Sequence, residues 1–242
     1  MNIQFNINYQ TYYGQELVLS IITGRHNGVN ETSQYRMHTL DGYHWSVEVR
    51  KDVKPGTQID YFYSVLRGDN EERKEWSVMC HRLNFDAERG LNYCVYDHWS
   101  DIPEDSYLYS SAIADCVVGK KQEKVKLNNF NKSVTLKVRA PQLRADDQLY
   151  LIGAEPALGA WNEKKALKMT QHNINEWVVT IDGAKLASSR LEVKFFIKNK
   201  ADNDAIVWEY SDNRIVELPA MDEGDVMVYE LDEAFSHFQP FA

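Results

Sequence analysis

The sequence predicts an all-β chain built as two immunoglobulin-like antiparallel β-sandwich modules in tandem. Three observations predict this. Short runs alternate apolar and polar residues along the 242-residue chain, which is the period of a half-buried strand. Gly-, Pro- and Asp-containing turn signals separate those runs, and no long amphipathic helical pattern appears. The two halves also repeat one another at an offset of 132 residues. Trp45 maps on Trp177, Trp76 on Trp208, Leu17 on Leu149, Met37 on Met169 and Arg82 on Arg214. Tryptophan is rare, so two matched pairs at one offset indicate a duplicated domain; a period this long is not that of a solenoid.

The elements follow in order. Ile3, Phe5 and Ile7 open the first unit as Val134, Leu136 and Val138 open the second. Trp45, Val47 and Val49 alternate, as do Trp177, Val179 and Ile181. Ile59, Tyr61, Tyr63 and Val65 form a third run, matched by Leu191, Val193, Phe195 and Ile197. Asp41-Gly42, Lys54-Pro55-Gly56, Arg67-Gly68-Asp69-Asn70 and Asp182-Gly183 mark the turns between runs. These signals place the first sandwich at residues 1–99, a linker at 100–129, the second sandwich at 130–231 and a tail at 232–242. The linker is long for a connector, and Tyr107, Leu108, Tyr109, Ile113 and Val117 give it apolar content that can pack on a module.

Composition narrows the function classes. The formal net charge is −9, which opposes a nucleic-acid partner, because phosphates demand a basic surface. A neutral ligand meets no such objection. No apolar run approaches the length needed to span a membrane as a helix. The start alternates in the manner of a strand and lacks the basic-then-apolar layout of a signal peptide. Three cysteines, Cys80, Cys94 and Cys116, do not build a disulfide framework. Together these predict a cytoplasmic protein.

The chemistry-bearing residues sit in the second half. Leu158-Gly159-Ala160-Trp161 forms one motif, Glu192-Val193-Lys194-Phe195-Phe196-Ile197 a second, Val207-Trp208-Glu209 a third and Asp212-Asn213-Arg214 a fourth. In this order and spacing they resemble the family 20 carbohydrate-binding modules, which bind starch, over roughly residues 131–231. The resemblance implies that Trp161 and Trp208 form a two-ring platform for an α-1,4-glucan, with Lys194, Glu209 and Asn213 at its rim. The residue types suit that chemistry. A glucose ring shows C–H groups on its faces and hydroxyls on its edge, so it calls for a flat aromatic surface plus a few donors and acceptors. On the strand around Lys194, Val193 and Phe195 share one face, which directs Lys194 to the other. Trp177 alternates with Val179 and Ile181 and reads as core.

The first half departs from that pattern. Val29 stands where the second unit has Trp161, Phe62 where it has Lys194 and His81 where it has Asn213; only Trp76 matches. Three readings of this unit stay open: weak binding, binding through the family's second, tyrosine-built site, or a mainly structural role. Tyr13 occupies that site's tyrosine position before Gly14-Gln15-Glu16, with Tyr43, Trp45 and Trp76 as further candidates, although Trp45 alternates with core residues. In the second half Ala145 occupies a tyrosine position of that site.

No catalytic constellation emerges. The seven histidines lack zinc-site spacing, and no nucleophile elbow, P-loop or Rossmann glycine pattern occurs. No catalytic residue, cofactor or metal is expected. The tandem arrangement resembles the N-terminal region of 4-α-glucanotransferases of the amylomaltase or disproportionating-enzyme type. This implies that a catalytic domain of the same protein lies beyond Ala242, and that the partners are starch, glycogen or maltooligosaccharides. A stand-alone glycogen-docking scaffold and an immunoglobulin-like protein-interaction module are the competing readings.

Overall fold

The computed structural model describes residues 1–26, 29–54, 56–76, 79–85, 92–102, 130–140, 143, 146–173, 176–200, 205–210 and 212–232. Most of the expected linker, Tyr107 through Val117 included, lies outside the described residues, as does Ala145. Two compact units result: Met1–Glu104 with Gly224–Val228, and Asp105–Glu223 with Tyr229–Ala242. The described elements are strands and three single-turn 3₁₀ segments, so the all-β class stands. Among the described residues no helix is long and apolar enough to cross a membrane.

In the first unit, β1 (Asn2–Asn8) pairs antiparallel with β4 (His44–Arg50) and parallel with β8 (Asn92–Asp97). The facing sheet holds β3 (Val29–Arg36), β2 (Glu16–His26), β5 (Thr57–Arg67) and β6 (Asn70–Lys74) in that order, with β7 (His81–Phe85) also on β5. Alternation explains the layering. Ile3, Phe5 and Ile7 from β1, Trp45 and Val49 from β4, and Tyr61, Tyr63 and Val65 from β5 are buried in one core cluster. Burial of this apolar surface is the main force holding the sandwich together.

The second unit repeats the plan. β9 (Ser133–Arg139) pairs with β13 (Glu176–Asp182), which carries β12 (Thr170–Asn173) on its other edge. The other sheet runs β11 (Leu167–Lys168), β10 (Asp147–Gly153), β14 (Arg190–Asn199), β15 (Ala205–Trp208), with β16 (Arg214–Glu217) also on β14. The final strand, β17 (Asp225–Leu231), contributes Val226 and Val228 to the core cluster of the first unit. Leu191, Val193, Phe195 and Ile197 are all fully buried, and Trp177 is 4 % exposed, as their alternation predicts.

The structure keeps part of the sequence repeat and corrects the rest. Met37 donates its N–H to Leu17 O at 2.9 Å, and Met169 to Leu149 O at 3.0 Å, so these pairs hold the 132-residue offset. Beyond β5 and β14 the offset changes. Ser64 lies opposite Lys74, whereas its counterpart Phe196 lies opposite Trp208. The partner of Trp208 in the first unit is therefore Lys74, not Trp76. Likewise Tyr61 pairs with His81 and its counterpart Val193 with Arg214, which makes His81, not Arg82, the match of Arg214. The physical cause is hairpin length. Two residues separate the paired Arg67 and Asn70, whereas five separate their counterparts Asn199 and Ala205, and the register shift between Val65 and Leu66 recovers one of those three.

Candidate functional site

The site is built on the outer face of the β10–β14–β15 sheet of the second unit. Its first part is the turn that follows β10. Gly159, Ala160 and Trp161 all have positive φ, at 94°, 49° and 57°. Two non-glycine residues in the left-handed region carry local strain, which persists only where surroundings over-determine it. Here the surroundings are plain. Trp161 N–H donates to Gly153 O at 3.0 Å, Ala160 N–H to Glu155 O at 3.0 Å and Asn162 N–H to Gly159 O at 2.9 Å. Leu158 is fully buried beneath the turn, and Asn162 Oδ1 accepts Lys164 N–H at 3.0 Å. Gly153 permits the close approach, since a Cβ there would lie 2.5 Å from Glu192 O and 2.8 Å from Leu158 Cδ1. The result is a fixed turn presenting Trp161 at 40 % exposure.

The second part is an aromatic ladder across three strands. Tyr150 lies opposite Phe196, and Phe196 opposite Trp208. The Tyr150 and Phe196 rings stack at 5.2 Å and 6°, and Phe196 meets Trp208 at 4.8 Å and 47°. Lys198 Nζ lies 5.1 Å from the Tyr150 ring centre. Phe196 is an outward position by alternation, yet it is fully buried, because its two aromatic neighbours cover it. It supports Trp208, which stays 36 % exposed. Phe196 is a site-supporting residue that sequence reasoning missed; the Phe195-Phe196 pair was its signal.

Lys194 is half-buried on β14 opposite Ile152, between the level of the Trp161 turn and that of Trp208. Ala154 N–H donates to Glu192 O at 3.0 Å, which ties the turn to the same stretch of β14. Asn213 is exposed and donates Nδ2 to Glu192 Oε1 at 2.6 Å. Trp161, Lys194, Trp208 and Asn213 are thus gathered on one end of one sheet.

Glu209 is not at that rim. It is 2 % exposed. Its Oε1 accepts Phe195 N–H at 2.9 Å, and Arg214 donates Nη2 and Nε to Oε2 at 2.9 and 3.1 Å. Its side chain faces inward as a structural clamp, because the strand alternates and Trp208 takes the outer face. The next residue, Tyr210, is 79 % exposed and was also missed, although its spacing of two from Trp208, which puts it on the same side of an extended segment, was its signal.

The first unit uses the same clamp with other residues. Tyr63 N–H donates to Glu75 Oε2 at 2.7 Å, and His81 Nε2 lies 2.9 Å from Glu75 Oε1. Tyr61 and Tyr63 donate their hydroxyls to Asp97 Oδ2 at 2.9 and 2.7 Å. Burial and the nearby Asp97 charge hold the Tyr63 phenol well above its usual pKa.

Above that clamp the described residues form no such platform. The position of Gly153 is held by Ile21, which continues the ladder to Tyr61, and β2 runs on into a hairpin with β3 where the second unit makes the Trp161 turn. Phe62 is 6 % exposed, with Lys74 Nζ 4.4 Å from its ring centre. Of the other first-unit candidates, Trp45 is core at 5 % exposure, so it is removed from any surface site. Trp76 is half-buried and donates its N–H to Ser100 O at 3.0 Å. Tyr13 is fully exposed and Tyr43 is 42 % exposed. Their loops are joined by Tyr9 N–H to Tyr43 O at 2.8 Å and Thr11 N–H to Gly42 O at 2.9 Å. Beside Tyr43, Asp41 accepts from the His44 ring and from the His44 and Tyr43 N–H groups, which holds its carboxyl below the usual range.

Residues 131–227 match the family described as the starch binding domain. No curated protein matches the chain significantly. Among solved structures, a family 15 glucoamylase from Hypocrea jecorina is similar at 20 % identity and a TM-score of 0.37, over 45 % of this chain and 17 % of that one. The family 20 module of a maltotetraose-forming amylase from Pseudomonas saccharophila is 22 % identical, with a TM-score of 0.32, over 41 % of this chain and 99 % of that one. A family 26 module from Eubacterium rectale, in complex with maltoheptaose, is 12 % identical with a TM-score of 0.28, over 95 % and 91 %. The chain thus spans less than a fifth of the glucoamylase.

Proposed function

We propose that the second unit binds α-1,4-glucans, such as starch, glycogen and maltooligosaccharides, on the face that carries Trp161 and Trp208. The observation that carries the reading is the pairing of two exposed tryptophans within the segment that matches the starch binding domain family. Trp161 stands on a hydrogen-bonded turn and Trp208 on an aromatic ladder, so both rings are held before a ligand arrives, which lowers the ordering cost of binding. Lys194 and Asn213 supply donors for hydroxyls at the ring edges. The first unit has a secondary role: its counterpart of the platform is filled by Phe62 and Lys74, and its exposed Tyr13 and Tyr43 offer a smaller aromatic surface. The finer proposal is that the pair serves as a non-catalytic glucan-docking region of a cytoplasmic 4-α-glucanotransferase of amylomaltase type, with a catalytic domain elsewhere in the same protein.

Two experiments test these statements. In native gels containing glycogen, the chain should migrate more slowly than in plain gels, and free maltoheptaose should restore its mobility. Unchanged migration, with no heat of binding to maltoheptaose in calorimetry, rejects glucan binding. The finer proposal is checked on the complete open reading frame, where a coding region without a glucan-acting catalytic domain rejects it.

A further inference from the structure

We infer that Tyr210 forms a third stacking position of the glucan site and sets its preference for longer chains. The inference rests on the glucan-binding reading above and extends it by one contact. Among the described residues, the exposed large apolar side chains of the second unit are Trp161, Trp208, Tyr210 and Ile215. Trp208 and Tyr210 flank Glu209 in the chain. Ile215 lies opposite Glu192, whose carboxylate accepts the Asn213 amide. The four therefore belong to the segments that frame the site, and Tyr210 is the most exposed of them, at 79 %.

The segment around Tyr210 is held at both ends. Glu209 is fixed by Phe195 N–H and by Arg214, and its own N–H donates to Phe195 O at 3.1 Å. Asn213 is fixed to Glu192 at 2.6 Å. An exposed ring on so anchored a segment offers apolar area at small ordering cost, and its hydroxyl adds a donor and an acceptor. The Trp161–Trp208 platform offers two rings, each able to take one sugar face. A longer glucan must continue past one tryptophan, and on the Trp208 side the next residue of aromatic type is Tyr210. The first unit has no equivalent, since its Lys74 takes the place of Trp208 and the residue two beyond, Trp76, is half-buried.

The test is calorimetry on the full chain with maltose, maltotriose and maltoheptaose, using Tyr210→Ala, Tyr210→Phe and Trp161→Ala. Tyr210→Ala should weaken maltoheptaose binding roughly five- to tenfold, the size of one lost aromatic contact, and leave maltose binding within about twofold. Tyr210→Phe should keep most of the maltoheptaose affinity, because stacking survives the loss of the hydroxyl. Maltoheptaose affinity unchanged in Tyr210→Ala overturns the inference and leaves glucan binding standing. An equal loss for maltose and maltoheptaose also overturns it, since Tyr210 would then belong to the primary platform. Failure of the unmodified chain to bind any of the three sugars rejects the underlying reading instead.

Discussion

Trp161 and Glu209 show how much a single position decides. Trp161 stands at φ 57° on a turn whose hydrogen bonds leave it no other course. Trp161→Ala should reduce maltoheptaose affinity by more than tenfold, about 2 kcal/mol for a stacked anchor, while calorimetric melting stays near that of the unmodified chain. Glu209 should behave in the opposite way. Removing its carboxylate takes the ion pair from Arg214, whose side chain is 13 % exposed, and losses of about 3 kcal/mol follow from breaking such a pair. Glu209→Ala should therefore lower the melting temperature markedly, with sugar binding retained in whatever fraction stays folded. Both residues were visible in the motifs, but their roles were not equally legible. A Trp in a glycine turn has no core strand to join, so its exposure follows from sequence. The glutamate of a Trp-Glu pair faces the side its neighbour does not, and only the ladder to Phe195 fixes which side that is.

At the scale of elements, one chain length of 20 residues, from Leu17 to Met37 or from Leu149 to Met169, builds two different objects. In the first unit it extends β2 and folds back as β3. In the second it stops at Gly153 and makes the platform turn. Gly153→Ala should cost about 1–3 kcal/mol of stability by overpacking, because its Cβ meets backbone and Leu158 below normal contact distance. Phe196→Leu should keep the fold and lower maltoheptaose affinity about three- to fivefold, the scale of an aromatic pair contact, because Trp208 loses the ring beneath it. Strand identity was largely readable from alternation, as in Trp177, Val193 and Phe195. The register of β6 and β15 was not. The hairpin after Asn199 is three residues longer than that after Arg67 and the bulge near Leu66 recovers one of them, so Trp76 and Trp208 share a sequence offset but hold unlike positions.

For the whole molecule, the duplication yields unequal partners. Each unit has the same two-sheet plan and the same buried carboxylate clamp, Glu75 with His81 and Glu209 with Arg214, yet among the described residues two exposed tryptophans occur in the second alone. Titrated on the full chain, the paired changes Tyr13→Ala and Tyr43→Ala should alter maltoheptaose affinity by less than about threefold, whereas Trp161→Ala removes most of it. An inverted result would move the principal site to the first unit.

The left-handed turn under Trp161 also bears on time. A ring already held in place needs no loop to close over the sugar and none to reopen. Association should approach encounter-limited rates, and dissociation of a short oligosaccharide should be fast, so each stay on one glucan segment is brief. A polysaccharide particle presents many such segments. A protein of this kind would be retained by repeated capture, drifting across the particle surface without ever being locked to one place.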